Sequence, residues 1–137
     1  MITDKVVAAV ADYLETFAPT TLATATFYER DEGADFEYPA VIVAESGPPE
    51  EHEIRRGHWT VDLEVMLKTK PEGDEAASTH RTMTDEINAL IGDTDGTVAH
   101  LGKTLECNDS WGGTGGTENE DGFRVTTFSL EIKAALS

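Results

Sequence analysis

The chain has 137 residues, 39% of them apolar, which suits one domain with a modest core and argues against wholesale disorder. Its 27 acidic residues against 10 basic ones give a net charge of −17, which excludes a conventional nucleic-acid binder, whose affinity comes from neutralising phosphates, and excludes attraction to anionic membranes. A single cysteine, Cys107, excludes an internal disulfide and any zinc site built from several cysteines, and no apolar run reaches the about 20 residues a membrane helix needs.

Thr3 to Phe17 predicts a helix, because Val6, Val7, Val10, Tyr13, Leu14 and Phe17 repeat at three and four. Thr3 is the expected N-cap, Asp4 suits the positive end of the helix dipole, and Pro19 stops the helix. The segment has no basic start and carries Asp4, Asp12 and Glu15, so it does not read as a signal peptide, and the expected setting is intracellular or a particle assembled inside a cell. Thr21 to Arg30 is rich in threonine and aromatics and predicts a strand. Asp31 to Phe36 is a polar turn. Tyr38 to Ser46 predicts a second strand, with Pro39 at its start and an unbroken apolar run from Ala40 to Ala44. Such a run suits a strand covered on both faces, either inside a sheet or at a subunit contact.

Gly47 to Gly57, GPPEEHEIRRG, predicts an exposed loop or extended hairpin arm. It carries Glu50, Glu51 and the chain's only adjacent basic pair, Arg55 and Arg56. It reads either as a solvated tip or as a docking loop. Gly57 to Lys70 then alternates: Trp59, Val61, Leu63, Val65 and Leu67 on one side, His58, Thr60, Asp62, Glu64 and Lys68 on the other, with Met66 the apolar intruder. This predicts a long strand with one buried face and one wet face.

Pro71 to Gly73 predicts a turn. A second helix is expected from Asp74 to about Ile91, with Ala76, His80, Met83, Ile87, Leu90 and Ile91 as its stripe and Gly92 as its C-cap. Asp93 to Gly96 reads as a turn; its alternating acids lack the later glutamate of a calcium loop. Leu101 to Trp111 predicts a strand, Gly112 to Gly122 a flexible glycine and acid loop, and Phe123 to Leu136 the last strand. In that strand Phe128, Leu130, Ile132 and Ala134 share a face, while Phe123 and Val125 are out of phase. A bulge near Thr126, or a face that switches to intersubunit burial, would reconcile them. The expected fold class is α+β, a mostly antiparallel sheet packed against two helices in the order α-β-β-β-α-β-β, as one domain over the whole chain.

No catalytic, cofactor or metal site is predicted. His52, His58, His80 and His100 form no ligand pair at helical spacing, and Cys107 sits on an expected inner strand face. The glycines after Trp111 lack the lysine and hydroxyl of a P-loop, and no G-x-S-x-G elbow is present. The acidity has three readings: solubility by self-repulsion, life in concentrated salt, or an acidic channel that passes DNA without holding it.

Taken together, the helix ITDKVVAAVADYLETF, the YPAVIV segment before a charged loop, the strand GHWTVDLEVMLKT, the helix ending DEINALI and the closing pattern FRVTTFSLEIKAAL resemble the tail terminator (tail completion) proteins of long-tailed viruses of bacteria and archaea. The likeness is one of pattern along nearly the whole chain. It implies a structural virion protein that is not an enzyme and needs no cofactor. The expected assembly is a hexameric ring that caps the tail tube and joins it to the head. Implied partners are further copies of the chain, the tail tube protein and the head–tail connector or stopper protein, with DNA only as passing cargo and no membrane. The implied place is the tail or neck of a virion assembled in the host cytoplasm. The alternatives are another neck or tail subunit, such as a tube subunit or connector adaptor, and a small intracellular ligand-binding protein. A closed ring needs two complementary patches per subunit. Glu50, Glu51, Arg55, Arg56, Trp111 and Phe123 are the candidate docking residues, and Asp62 and Glu64 the candidate channel lining.

Overall fold

A computed structural model describes residues 2–30, 36–70, 76–120 and 122–136. Helix α1 spans Ile2–Phe17, strands β1 Thr26–Glu29, β2 Ala40–Glu45, β3 Glu50–Glu51 and β4 His58–Thr69 follow, then helices α2 Ala76–Gly92 and α3 Thr94–Leu101, and strands β5 Glu106–Glu120 and β6 Phe123–Ala135. The six strands form one sheet in the order β1-β2-β4-β6-β5, with β3 also paired to β4. Only the β1–β2 pair is parallel among the described strands. This is the expected α+β class, with one helix and one short strand more than anticipated.

The helices lie on one face of the sheet. Val6, Val10 and Leu14 of α1 and Met83, Ile87 and Ile91 of α2 form one core with Val41, Val43, Val61, Leu63, Val65, Leu67, Phe128, Leu130 and Ile132. The alternation of β4 and β6 therefore selects the covered face as the sequence predicts. The Tyr13 hydroxyl donates to the Leu90 carbonyl at 2.8 Å and ties α1 to the end of α2. The apolar run of β2 is buried on both faces: Val41 and Val43 enter the core under the helices, and Ala40 and Ile42 are buried on the opposite face.

Several local expectations are corrected. Thr3 is not an N-cap: it lies within α1, buried, with its hydroxyl unpartnered among the described residues. Residues 21–30 do not form one strand; a single 3₁₀ turn at Leu22–Thr24 precedes the short β1. The turn expected at residues 93–96 is the start of α3, where Asp93 accepts a hydrogen bond from the Gly96 N–H at 3.0 Å and acts as the N-cap. Leu101 closes α3, so the strand expected there starts later, at Glu106.

The largest correction concerns residues 112–120. They are not a loop but the second half of β5, paired to β6 as far as Glu120–Phe123. The glycines serve close approach. A Cβ on Gly112 would lie 2.8 Å from the Ile91 carbonyl, and one on Gly115 would lie 2.5 Å from the Thr127 carbonyl. The β4–β6 register runs from His58–Ala135 to Thr69–Arg124 without a break, so no bulge lies near Thr126 in that pair. The irregularities fall in β5, between Cys107 and Asp109 and between Thr114 and Thr117. Phe123 and Val125 are out of phase because they belong to the other face of the sheet. The expected turns at residues 31–36 and 71–73 and the start of the second helix at Asp74 fall wholly or largely outside the described residues.

Candidate assembly surfaces

The second face of the sheet has no helix over it among the described residues. Strand pairing sets its rows, since paired residues of neighbouring strands share a face. Asp62 of β4 pairs with Glu131 of β6, which pairs with Trp111 of β5. In the next row Glu64 pairs with Ser129, and Ser129 with Gly113. The Trp111 ring lies along Gly113, where a Cβ would come within 3.3 Å of it, and the indole is 63% exposed. Asp62 is exposed and Glu64 half-buried. The face thus carries an acidic band, Asp62, Glu64 and Glu131, bordered by one large exposed aromatic.

Further along the same face the surface becomes apolar. Tyr28 meets Phe36 at 4.8 Å between ring centroids, Phe36 meets Tyr38 at 6.5 Å, and Tyr38 stacks on Phe123 at 4.5 Å. Ala40, Ile42 and Val125 are buried on this side. The Lys68 and Lys70 amines sit 5.9 Å and 5.8 Å from the Phe36 and Tyr38 rings. Phe123, expected as surplus apolar surface, is therefore half-buried against its own chain. Met66, which interrupts the polar side of β4, pairs with Ile42 and Thr127 on this face. It was the sequence signal for a second apolar patch, and the aromatics Tyr28, Phe36 and Tyr38 were missed.

At the other end of β4 stands the arm. Strand β3 continues the line of β2 along β4, with Glu50 opposite Thr60 and Glu51 opposite Trp59. The tip is a built turn and not a loose loop. His52 Nδ1 accepts from the backbone N–H groups of Ile54 and Arg55 at 3.2 and 3.1 Å, and Glu51 Oε2 accepts from the Gly57 N–H at 2.9 Å. Gly57 takes the left-handed conformation, φ 81°, that closes the turn. Glu51 thus has a structural task besides its exposed charge. Arg55 and Arg56 are exposed at the tip, next to Ile54, which is 87% exposed. Ile54 is a docking candidate that sequence reading passed over, though it is the lone large aliphatic in a charged loop. A cleft of about 230 Å³ lies at the arm's base, with Arg55, His58, Trp59 and Lys133 in its wall.

The ionisable groups are placed structurally. His80 is buried between two hydroxyls, Nδ1 2.7 Å from Thr69 Oγ1 and Nε2 2.7 Å from Thr126 Oγ1. Burial, and then the positive charge of Arg124, lower its pKa. Cys107 is half-buried against the core, and burial raises its thiol pKa, the opposite of an activated nucleophile. His58 Nδ1 lies 3.1 Å from the Asn108 amide, and His100 Nε2 2.7 Å from Asp12. No group of three or more His, Cys, Asp and Glu that could hold a metal occurs among the described residues. No described helix is long and apolar enough to cross a membrane.

No protein-family model matches the chain, and no curated protein matches it by sequence. Among solved structures, it is similar to a chain from the virion of a native gene transfer agent particle. The match covers 93% of each chain at a TM-score of 0.52 and 12% identity. At that identity the two chains share a fold. The sheet places Asp62, Glu64, Trp111 and Phe123 on one face, and the arm carries Glu50, Glu51, Arg55 and Arg56 at the far end of β4.

Proposed function

We propose that this chain is a structural virion subunit, a tail terminator that forms a hexameric ring on the tail tube and joins it to the head–tail connector. The observation that carries the reading is the fold shared along 93% of both chains with a subunit of a gene transfer agent virion. Two features of the surface support it. The part of the sheet face around Asp62, Glu64 and Trp111 carries no helix among the described residues, and an arm ordered by His52 and Glu51 projects at the His58 end of β4. In the ring, Arg55 and Arg56 with Ile54 dock on an acidic neighbour, Trp111 enters a contact, and Asp62 and Glu64 face the passage through which DNA moves without adhering. The band of Asp62, Glu64 and Glu131 repels phosphate and suits the transit of DNA. The net charge of −17 also suits a virus that assembles in concentrated salt.

The fold likeness names a particle and not a component, so a tube subunit or connector adaptor shares its support. Co-expression with the tail tube protein of the same virus separates them. A terminator leaves tubes of limited length with this chain at one end. Tubes that elongate unchecked, or that contain this chain along their length, would overturn the terminator reading.

A further inference from the structure

The strand side of α2 carries a basic cleft in a strongly acidic chain. A cleft of about 270 Å³ is walled by Ala77, His80, Arg81 and Thr84 of α2, Thr117 of β5 and Arg124 of β6. Arg124 pairs along the sheet with Thr69 and Asn119, and its Nη1 is buried with no hydrogen-bond partner among the described residues. A buried donor left unpaired is costly, and a guanidinium most readily finds relief in a planar oxyanion that meets its fork. His80 cannot serve, because both its ring nitrogens are engaged by Thr69 and Thr126. Thr117 Oγ1 is bonded to Thr126 Oγ1 at 2.6 Å. The ion pairs among the described residues are Arg30 with Asp4 and His100 with Asp12, so neither Arg81 nor Arg124 is matched there. Two arginines on one cleft, unmatched among the described residues, stand out where 27 acids face 10 bases.

We propose that the Arg81–Arg124 cleft is a carboxylate-binding site and that its occupant is an Asp or Glu side chain of a second copy of this chain. Charge complementarity selects that occupant: every further copy presents a surplus of carboxylates, and the cleft concentrates two of the chain's few cations. The site supplies one of the two different patches a head-to-tail ring requires, and in this it rests on the ring reading above. Arg81, exposed on α2, captures the carboxylate, while Arg124, held in the sheet, fixes its orientation. Inorganic anions share this chemistry and enter the free cleft as competitors.

The test uses the full chain carrying Arg81→Lys, mixed from unlabelled and isotope-labelled protein. A carbodiimide joins a lysine amine to a carboxylate in contact with it, and the oligomer mass is measured on the same sample. Links from position 81 to an Asp or Glu of the other label are expected. Links within one label only place the carboxylate in the same chain and overturn the proposal. An assembled ring with no link from position 81 overturns it while the ring reading stands, and a sample that remains monomeric overturns both. As a second arm, Arg81→Glu is expected to keep the melting midpoint and to weaken self-association about tenfold or more. Unchanged association would contradict the proposal.

Discussion

Asp62 and Glu131 stand directly opposite each other on β4 and β6, two carboxylates paired on the sheet face that carries no helix among the described residues. Like charges in that relation destabilise a sheet by about 0.2–1 kcal/mol, and Glu131 also pairs with the exposed Trp111. Glu131→Gln should therefore raise the melting midpoint by about 1–3 °C in dilute buffer. The gain should vanish near 1 M salt, where the Debye length is about 3 Å. A gain that persists in high salt would show that the pair is not the cause.

His80 links α2 to β4 and β6 through Thr69 and Thr126. Its pKa is lowered in the folded chain, so the unfolded chain takes up a proton first as pH falls below about 6.5. The stability His80 contributes is present above that value and is lost as pH falls toward its lowered folded pKa. His80→Gln should cost about 1–3 kcal/mol at neutral pH. The difference between wild type and variant should shrink as pH is taken from about 8 to about 5. Melting curves of both proteins across that range check it; a constant difference would contradict the buried neutral imidazole.

The glycines of β5 differ sharply in what surrounds them. Gly112→Ala forces a Cβ to within 2.8 Å of the Ile91 carbonyl, whereas Gly116 has nothing within 4 Å. Gly112→Ala should destabilise by about 1–3 kcal/mol, and Gly116→Ala should be neutral or slightly stabilising. Denaturant titration of the two variants separates them. Equal effects would mean that this segment does not pass beneath α2.

These glycines also show where sequence reading stopped. Period-two alternation was strong in β4 and in the second half of β6, and the structure follows it residue by residue. The β5 glycines offer no side chains to alternate, so a strand was indistinguishable from a loop; its pairing comes from β6 and from close passage beneath Ile91. Helix α3 was hidden because Asp93 and Gly96 spell a turn as readily as a helix start. Phe123 and Val125 are out of phase with the helix-side face because the second face is buried there within the chain, where a bulge or an intersubunit contact was expected. Met66 pointed to the second, but the aromatics that cover it arrive from Tyr28, Phe36 and Tyr38, distant in sequence. The arm was legible from its prolines and charges; its ordering by His52 and Glu51 was not, since those bonds depend on the fold of the turn.

The arm and Trp111 should act in assembly and not in folding. Their side chains are exposed, so Arg55→Glu with Arg56→Glu, and separately Trp111→Ala, should shift stability by no more than about 0.5 kcal/mol. Both should weaken self-association or docking to the tail, read by sedimentation of wild type and variants at matched concentration. Unchanged sedimentation and tail binding would remove these residues from the interface.

The measurement closest to the central claim is the mass of the purified chain in high salt, by sedimentation with electron microscopy of the same sample. A ring subunit predicts closed particles near six times 14.8 kDa with a central opening. A single 14.8 kDa species at every concentration, with no ring in the images, would contradict it.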